Sequence, residues 1–330
     1  MRERVLLISF ILSLPFWWGV NVLANNLEGF VFEQELLKNP QTLTAQLDQK
    51  IFEEELKKTE ITRERRERLA NLDIQTRAAI SLEVDSSGQE TILFEKNSGE
   101  PLPIASLTKL MTALVVFGLS GTYDPSQLIT ITKEAISQDG QSKYGDLRIG
   151  EKLSVDALLH IMLIESSNDA AFALTQPIGE EGFVNLMNIY GKNLGLLSTI
   201  FVNPTGLEPD NPAEQGNLSS AKNLAELAEY LLKNYPQIFQ ITSQKSYNIL
   251  KPDGSLHHFI PQNTNELLGE IPGIIGGKTG WSPQALGCLL LVLKDPENNG
   301  YFINVLLGSD DRFSEMRKIV CQLLACPTLP

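Results

Sequence analysis

Two short segments pair side chains suited to acyl-transfer chemistry. In Pro103-Ile104-Ala105-Ser106-Leu107-Thr108-Lys109 a serine opens a predicted helix, and a lysine follows three residues later, one turn on and on the same face. A serine hydroxyl is a weak nucleophile at neutral pH and needs a base within hydrogen-bond reach. Lysine serves when it is neutral, a state that a second nearby cation favours; Lys278, in Gly277-Lys278-Thr279-Gly280, is a candidate for that cation. The helix N-terminus adds free backbone N–H groups able to bind an oxyanion. Histidine is the commoner base, but the chain has only His160, His257 and His258, and no G-x-S-x-G elbow, so a Ser-His-Asp triad lacks its usual markers. His160, four residues after Asp156, reads as a surface pair, and His257 and His258 as a loop or strand start after a Pro-Asp-Gly turn. With Cys288, Cys321 and Cys326 these histidines show no zinc-site spacing, so no metal and no cofactor is expected. Cys321 and Cys326 are awkwardly spaced for a disulfide within a helix; buried free thiols are expected, and pairing of one of them with Cys288 stays open.

Order and context separate these segments from look-alikes. A second S-x-x-K, Ser219-Ser220-Ala221-Lys222, and a second S-x-N, Ser246-Tyr247-Asn248, compete with Ser106/Lys109 and with Ser166-Ser167-Asn168, whereas K-T-G occurs once. The order Ser106, Ser166, Lys278 leaves room for a helical subdomain between active-site parts; the look-alikes crowd together. Ser166 and Asn168 are also suited to capping the helix that starts near Asp169.

Patterning outlines the elements that must hold these residues. Arg2 and Arg4 precede 20 uncharged residues, Val5 to Ala24, about one bilayer thickness as a helix. Residues 1–25 therefore read as an N-terminal membrane anchor with the rest outside the cytoplasm, or as a signal peptide cleaved near Val22-Leu23-Ala24. Residues 26–77, with 11 acidic and 9 basic residues and a narrow stripe of Leu47, Ile51, Phe52 and Leu56, read as a charged helical spacer. Residues 78–330 read as the globular part. Ala79 to Val84 and Glu90 to Glu95 flank Asp85-Ser86-Ser87-Gly88 as a hairpin, and Leu286 to Leu293 and Tyr301 to Leu307 flank Asp295 to Gly300 as another. Leu107 to Leu119, Val155 to Leu163, Ala221 to Leu232 and Arg312 to Leu324 read as helices. Strands at both ends with helices between them give an α+β domain whose sheet the C-terminal hairpin completes. The 42% apolar and 20% charged composition suits a packed core, and the net charge of −13 works against a nucleic-acid-binding face.

At roughly residues 78 to 325 the chain resembles the serine D-alanyl-D-alanine carboxypeptidases, the low-molecular-mass penicillin-binding proteins. The resemblance rests on PIASLTKLMTALV, ESSNDAA, FVNPTGL, NLSSAKNLAELAEYLL, GGKTGW and VLLGSDDRF, in family order. It implies an antiparallel sheet flanked by helices, an all-helical subdomain, and a cleft between them. It also implies that Ser106 is acylated, Lys109 is its general base, Ser166 relays a proton and Asn168 holds the substrate amide. Lys278, Thr279, Gly280 and Trp281 would line the substrate, Lys278 and Thr279 would contact its terminal carboxylate, which Arg312 would help neutralise, and the N–H groups of Ser106 and Trp281 would form the oxyanion hole. Arg312 also fits an ordinary first-turn position, and Trp281 a packing role at the rim. Substrates would be peptidoglycan stem peptides, with β-lactams as acylating inhibitors. Family members often continue into a β-rich domain and a C-terminal amphipathic anchor; with neither before Pro330, membrane attachment is expected at the N-terminal segment. A class A type β-lactamase is the nearest alternative: Glu208-Pro209-Asp210-Asn211 is similar to its deacylating loop, with a different asparagine spacing. A non-catalytic cell-wall-binding protein is the third reading.

Overall fold

The computed structural model describes residues 40–138, 144–211 and 213–326, so the anchor or signal segment, residues 1–25, lies outside it. The chain divides into two units after Arg63. The first is seen as the leading part of helix α1 (Pro40–Ala70), where Ile51, Phe52 and Leu56 are exposed, as a narrow apolar stripe between mixed charges dictates. Among the described residues no helix is long and apolar enough to cross a membrane.

In the second unit the last turns of α1 lead into β1 (Thr76–Val84) and β2 (Glu90–Lys96). There follow α2 (Thr108–Gly118), α3 (Val155–His160), a π-turn (Ile161–Glu165), α4 (Asn168–Ala173), α5 (Glu180–Asn193), α6 (Ala221–Asn234) and α7 (Gln237–Thr242). A hairpin of β3 (Tyr247–Leu250) and β4 (Leu256–Ile260) precedes β5 (Ile274–Ser282), β6 (Leu286–Lys294), β7 (Tyr301–Ser309) and α8 (Arg312–Leu323). The five-stranded antiparallel sheet has the order β2-β1-β7-β6-β5, so the C-terminal hairpin inserts between the N-terminal hairpin and β5. Both predicted hairpins form. In the first, Asp85 Oδ1 accepts from the N–H groups of Ser87 and Gln89, the local turn chemistry its sequence advertised.

Nearly every residue of β6 and β7 is buried, because both faces of the sheet are covered and the strands become continuous apolar runs. Alternation still sorts them. Leu290, Val292, Ile303 and Val305 join Ile80, Leu82, α2 and α6 in one core, while Leu289, Leu291, Phe302 and Leu306 join Leu69, Ile74 and α8 in the other. That second core changes the picture of residues 64–77 as solvated spacer: Arg65, Leu69 and Ile74 are fully buried. Arg65 tolerates burial because its guanidinium donates to Glu83, Asp295 and Glu297 at 2.7–2.8 Å and lies 4.7 Å above the Phe302 ring.

The three thiols are free as expected, but Cys321 and Cys326, at the end of the last helix, are half-buried and not buried. Ala325 takes φ 51°, the chain turns back, Cys326 N donates to Cys321 O, and the two half-buried sulfurs lie 2.8 Å apart; only Cys288 is a buried thiol by itself. Leaving the helical path removes the spacing constraint that made the pair look awkward.

Candidate active site

Ser106 occupies the middle of a 3-10 turn, Ala105–Leu107, leading into α2. Ala105 has φ 45°, a left-handed conformation that costs a residue with a Cβ about 1–2 kcal/mol. Two glycines clamp this turn. A Cβ on Gly206 would stand 2.0 Å from the Ala105 carbonyl oxygen, and one on Gly280, in β5, would stand 3.1 Å from Ser106 N. Gly280 thus brings the β5 edge, and Trp281 after it, against the nucleophile's backbone; the Trp281 side chain is exposed.

Lys109 is fully buried, and its Nζ lies 2.9 Å from Ser106 Oγ, 2.5 Å from Asn168 Oδ1 and 2.6 Å from the Thr205 carbonyl. The Thr205 acceptor is the part sequence reasoning missed. It comes from the FVNPTGL segment, where Asn203 Oδ1 accepts from the N–H groups of Thr205 and Gly206. Thr112 Oγ1 donates to Pro204 O, and Asn217 Nδ2 donates to Thr108 Oγ1, so α2 and this loop are stitched together. The Asn-Pro-Thr-Gly turn chemistry in the sequence was the available signal.

Ser166 follows the π-turn at φ 68° and ψ 26°, and its Oγ accepts from Lys278 Nζ at 2.9 Å. The capping alternative for Ser166 and Asn168 fails for a local reason: Ser167 is the N-cap of α4, its Oγ accepting from Ala170 N, which leaves the residues on either side to the cleft. Lys278 also donates to Thr279 O at 3.0 Å. Burial, then the charge of Lys109, then that of Arg312, hold the Lys278 ammonium well below the ordinary lysine range. Thr279 Oγ1 donates to Thr264 Oγ1 at 2.7 Å, a second contact that no motif announced.

Arg312 sits in the first turn of α8, which Asp311 caps. Its guanidinium lies 4.5 Å from the Phe313 ring, and its Nε is buried with no hydrogen-bond partner among the described residues. Burial lowers its pKa, while Glu266, Cys288 and Asp311 act the other way. Arg312 thus reaches Lys278 through its field. Glu208 is held by the turn after β5: its Oε1 accepts from Ser282 Oγ and from the N–H groups of Gln284 and Ala285. A depression lined by Pro103, Ala105, Gly206, Leu207, Glu208 and Gln284 runs up to the nucleophile turn.

The look-alike motifs are placed elsewhere. Ser219 is buried in a short ladder, Ser220 caps α6, and Lys222 is exposed. Ser246 and Asn248 lie exposed at the β3 hairpin. Of the histidines, His160 is buried and not at the surface: its Nδ1 is 2.8 Å from Asp156 O and its ring stacks on Tyr247 at 4.2 Å, because β3 covers α3. Among the described residues no group of His, Cys, Asp and Glu could hold a metal ion.

A helix-flanked antiparallel sheet, with a serine–lysine pair at the head of a buried helix and a second serine and lysine facing it, is the architecture of the penicillin-binding DD-peptidases. Residues 62–311 match the D-alanyl-D-alanine carboxypeptidase family, and the chain belongs to it. The D-alanyl-D-alanine carboxypeptidase DacF of Bacillus subtilis is 35% identical over 246 residues, covering 73% of this chain and 59% of the relative, so this chain spans little more than half that relative's length. A D-alanyl-D-alanine endopeptidase of Pseudomonas aeruginosa is 32% identical over 205 residues, 61% of this chain and 62% of the relative. Among solved structures, a mutant of the Streptomyces K15 DD-transpeptidase superposes with a TM-score of 0.68 at 27% identity, over 77% of this chain and 100% of that one. Penicillin-binding protein D2 of Listeria monocytogenes, in an ampicillin-bound form, superposes with a TM-score of 0.63 at 28% identity, over 77% of this chain and 99% of that one.

Proposed function

We propose that this chain is a serine carboxypeptidase that removes the terminal D-alanine from peptidoglycan stem peptides through an acyl-enzyme on Ser106. The observation that carries the reading is the 2.9 Å separation of Lys109 Nζ and Ser106 Oγ in a site where both are clamped by backbone. Neutral Lys109 takes the hydroxyl proton as Ser106 Oγ attacks the carbonyl carbon of the penultimate D-alanine. The N–H groups of Ser106 and Trp281 stabilise the oxyanion, a contribution that such donors typically make at about 3–4 kcal/mol each. As the C–N bond breaks, Ser166 gives its hydroxyl proton to the departing amine and is reprotonated by Lys109; water then attacks the ester, giving its proton to Lys109, which returns it to Ser106 Oγ as the acyl–oxygen bond breaks. Asn168 orients Lys109 and the substrate amide. Lys278, Thr279 and Gly280 present the β5 edge to the peptide, and Arg312 meets the terminal carboxylate. Engagement of Glu208 by the Ser282–Ala285 turn supports this reading over a β-lactamase with Glu208 as deacylating base.

β-Lactams acylate the same serine. Intact-mass analysis after incubation with a penicillin tests the reading: a slowly decaying adduct on Ser106 is expected, whereas rapid turnover means a β-lactamase and no adduct a wall-binding module. The uncharged run Val5 to Ala24 supports an N-terminal anchor that holds this site at the extracytoplasmic face of the membrane. Fractionation checks it: the chain is expected with membranes, and a mature form beginning near Asn25 in the soluble extracytoplasmic fraction would reverse the assignment.

A further inference from the structure

Next to Ser166 lies a set of titratable groups that the reaction above does not use. Glu165 Oε2 is 3.3 Å from His258 Nε2, the Nδ1 atoms of His258 and His257 are 2.7 Å apart, and His257 Nε2 is 3.1 Å from Glu151 Oε2. The two rings meet edge to face, 4.9 Å between centroids. All four side chains are at most one-fifth exposed, His257 at 3%.

The geometry restricts the protons. A carboxylate only accepts, so each Nε2 must carry a hydrogen. Between the two Nδ1 atoms there must then be one hydrogen: with none, two lone pairs face each other, and with two, the N–H groups collide. The chain of four groups therefore closes with three protons on four ring nitrogens, one positive charge spread over the imidazole pair between two carboxylates. On the strand paired with β4, Tyr247 stacks on His160 of α3, whose Nδ1 is engaged by the Asp156 carbonyl, and Glu151 also accepts from Arg148 N through Oε1.

The network joins the loop ahead of α3, strand β4 and the last residue of the π-turn, directly before Ser166. A left-handed residue with a Cβ persists only where its surroundings hold it. Ser166 is held at its side chain by Lys278, its π-turn by a bond from Thr264 N to Ile164 O, and Glu165 by His258. We propose that His257 and His258 are positioning residues which, by sharing one proton, fix Glu165 and so hold the Ser166 hydroxyl in place for proton transfer. This rests on the acyl-enzyme reading. A further proton, or loss of the shared one, breaks the Nδ1 contact and with it the hold on Glu165.

Two measurements on the full chain test this. Imidazole 15N NMR of the wild type at the pH of its activity optimum is expected to show protonated Nε2 atoms on both rings and an Nδ1 pair averaging between protonated and bare; bare Nδ1 on both rings overturns the proposal, whatever the activity. In the second, the rate of acylation by a fluorescent penicillin is followed against pH. Glu165→Gln and His258→Gln are each expected to lower it about tenfold at the wild-type optimum and to change the shape of its pH profile, and the double variant is expected to be no slower than either single one. An unchanged rate, or a loss uniform in pH with the shape of the wild-type profile intact, overturns it. A wild type that is not acylated at all removes the acyl-enzyme reading instead, and the NMR proton count still decides whether the pair shares its proton.

Discussion

Ser106 and Ser219 share a motif and differ in what surrounds them. Ser106 has a buried amine at hydrogen-bond distance, whereas the lysine of the second motif is exposed and its neighbouring serine is spent on a helix cap. Ser106→Ala is therefore expected to abolish covalent penicillin labelling and Ser219→Ala to leave it near wild type, read by gel fluorescence. Arg312, proposed to meet the terminal carboxylate, has a guanidinium suited to grip it bidentately, and its buried Nε has no hydrogen-bond partner among the described residues. Arg312→Ala should lower kcat/KM for D-Ala-D-Ala peptides by about one to two decades, and by less on C-terminally amidated peptides. Equal losses on both substrates would assign the arginine to the fold. Its charge also acts on Lys278. Removing one of the two cations that depress the Lys278 pKa favours the protonated form, so that pKa rises and the alkaline limb of the amidated-substrate profile should move to higher pH.

Elements position these side chains through backbone contacts that tolerate no added atom. At Gly206, φ is +87° and a Cβ would strike the Ala105 carbonyl, which is backbone and cannot swing away. Gly206→Ala should thus displace the nucleophile turn and slow acylation by about a hundredfold, the scale of a 1 Å misplacement. Gly88, at φ +84° in the first hairpin, has open space around it, so Gly88→Ala should cost about 1 kcal/mol of stability and leave acylation unchanged. Between α6 and β2, burial and a hydrogen bond with Glu90 raise the Glu229 pKa from its ordinary 4.5 to about 7. A raised carboxyl pKa stabilises the fold below the unfolded value and loses that contribution as pH rises through the folded one. The wild-type melting temperature should accordingly fall between pH 4.5 and pH 7 relative to Glu229→Gln, by about 2 °C given solvent screening.

Across the whole second unit, the sheet carries two cores, and the end of α1 closes one of them. Arg65 is the pin: a buried cation among Glu83, Asp295 and Glu297, all brought together by the β1–β7 pairing and the β6–β7 turn. Replacing such a cluster with apolar groups can be neutral, but removing one partner strands a charge. Asp295→Ala is expected to cost about 3–5 kcal/mol in urea unfolding, and pairing it with Arg65→Met should recover much of the loss. A small effect of Asp295→Ala alone would mean that water reaches the cluster.

The sequence by itself outlined both hairpins of the main sheet, four of the helices and the candidate reacting set, because each is written in neighbours. Apolar or β-rich runs flanking turn residues gave both hairpins, Asp85 announced its turn, the i, i+3 spacing placed Ser106 and Lys109 on one face, and the six family-ordered segments pointed to Ser166 and Lys278. What it could not carry were contacts whose chemistry has no residue identity or whose partners lie far away in the chain. The third acceptor on Lys109 is a backbone carbonyl, which every residue possesses, 96 residues downstream. Strand β5 is apolar only at its start and glycine-rich at its centre, so its pattern hides a strand that the β6 pairing creates. Charge density marked Arg65 as solvated, and only three carboxylates converging from distant segments made burial tolerable. The same holds for His257 and Glu151, 106 residues apart. Folding sets which groups lose water and which partners replace it, and that balance decides charge, position and reactivity.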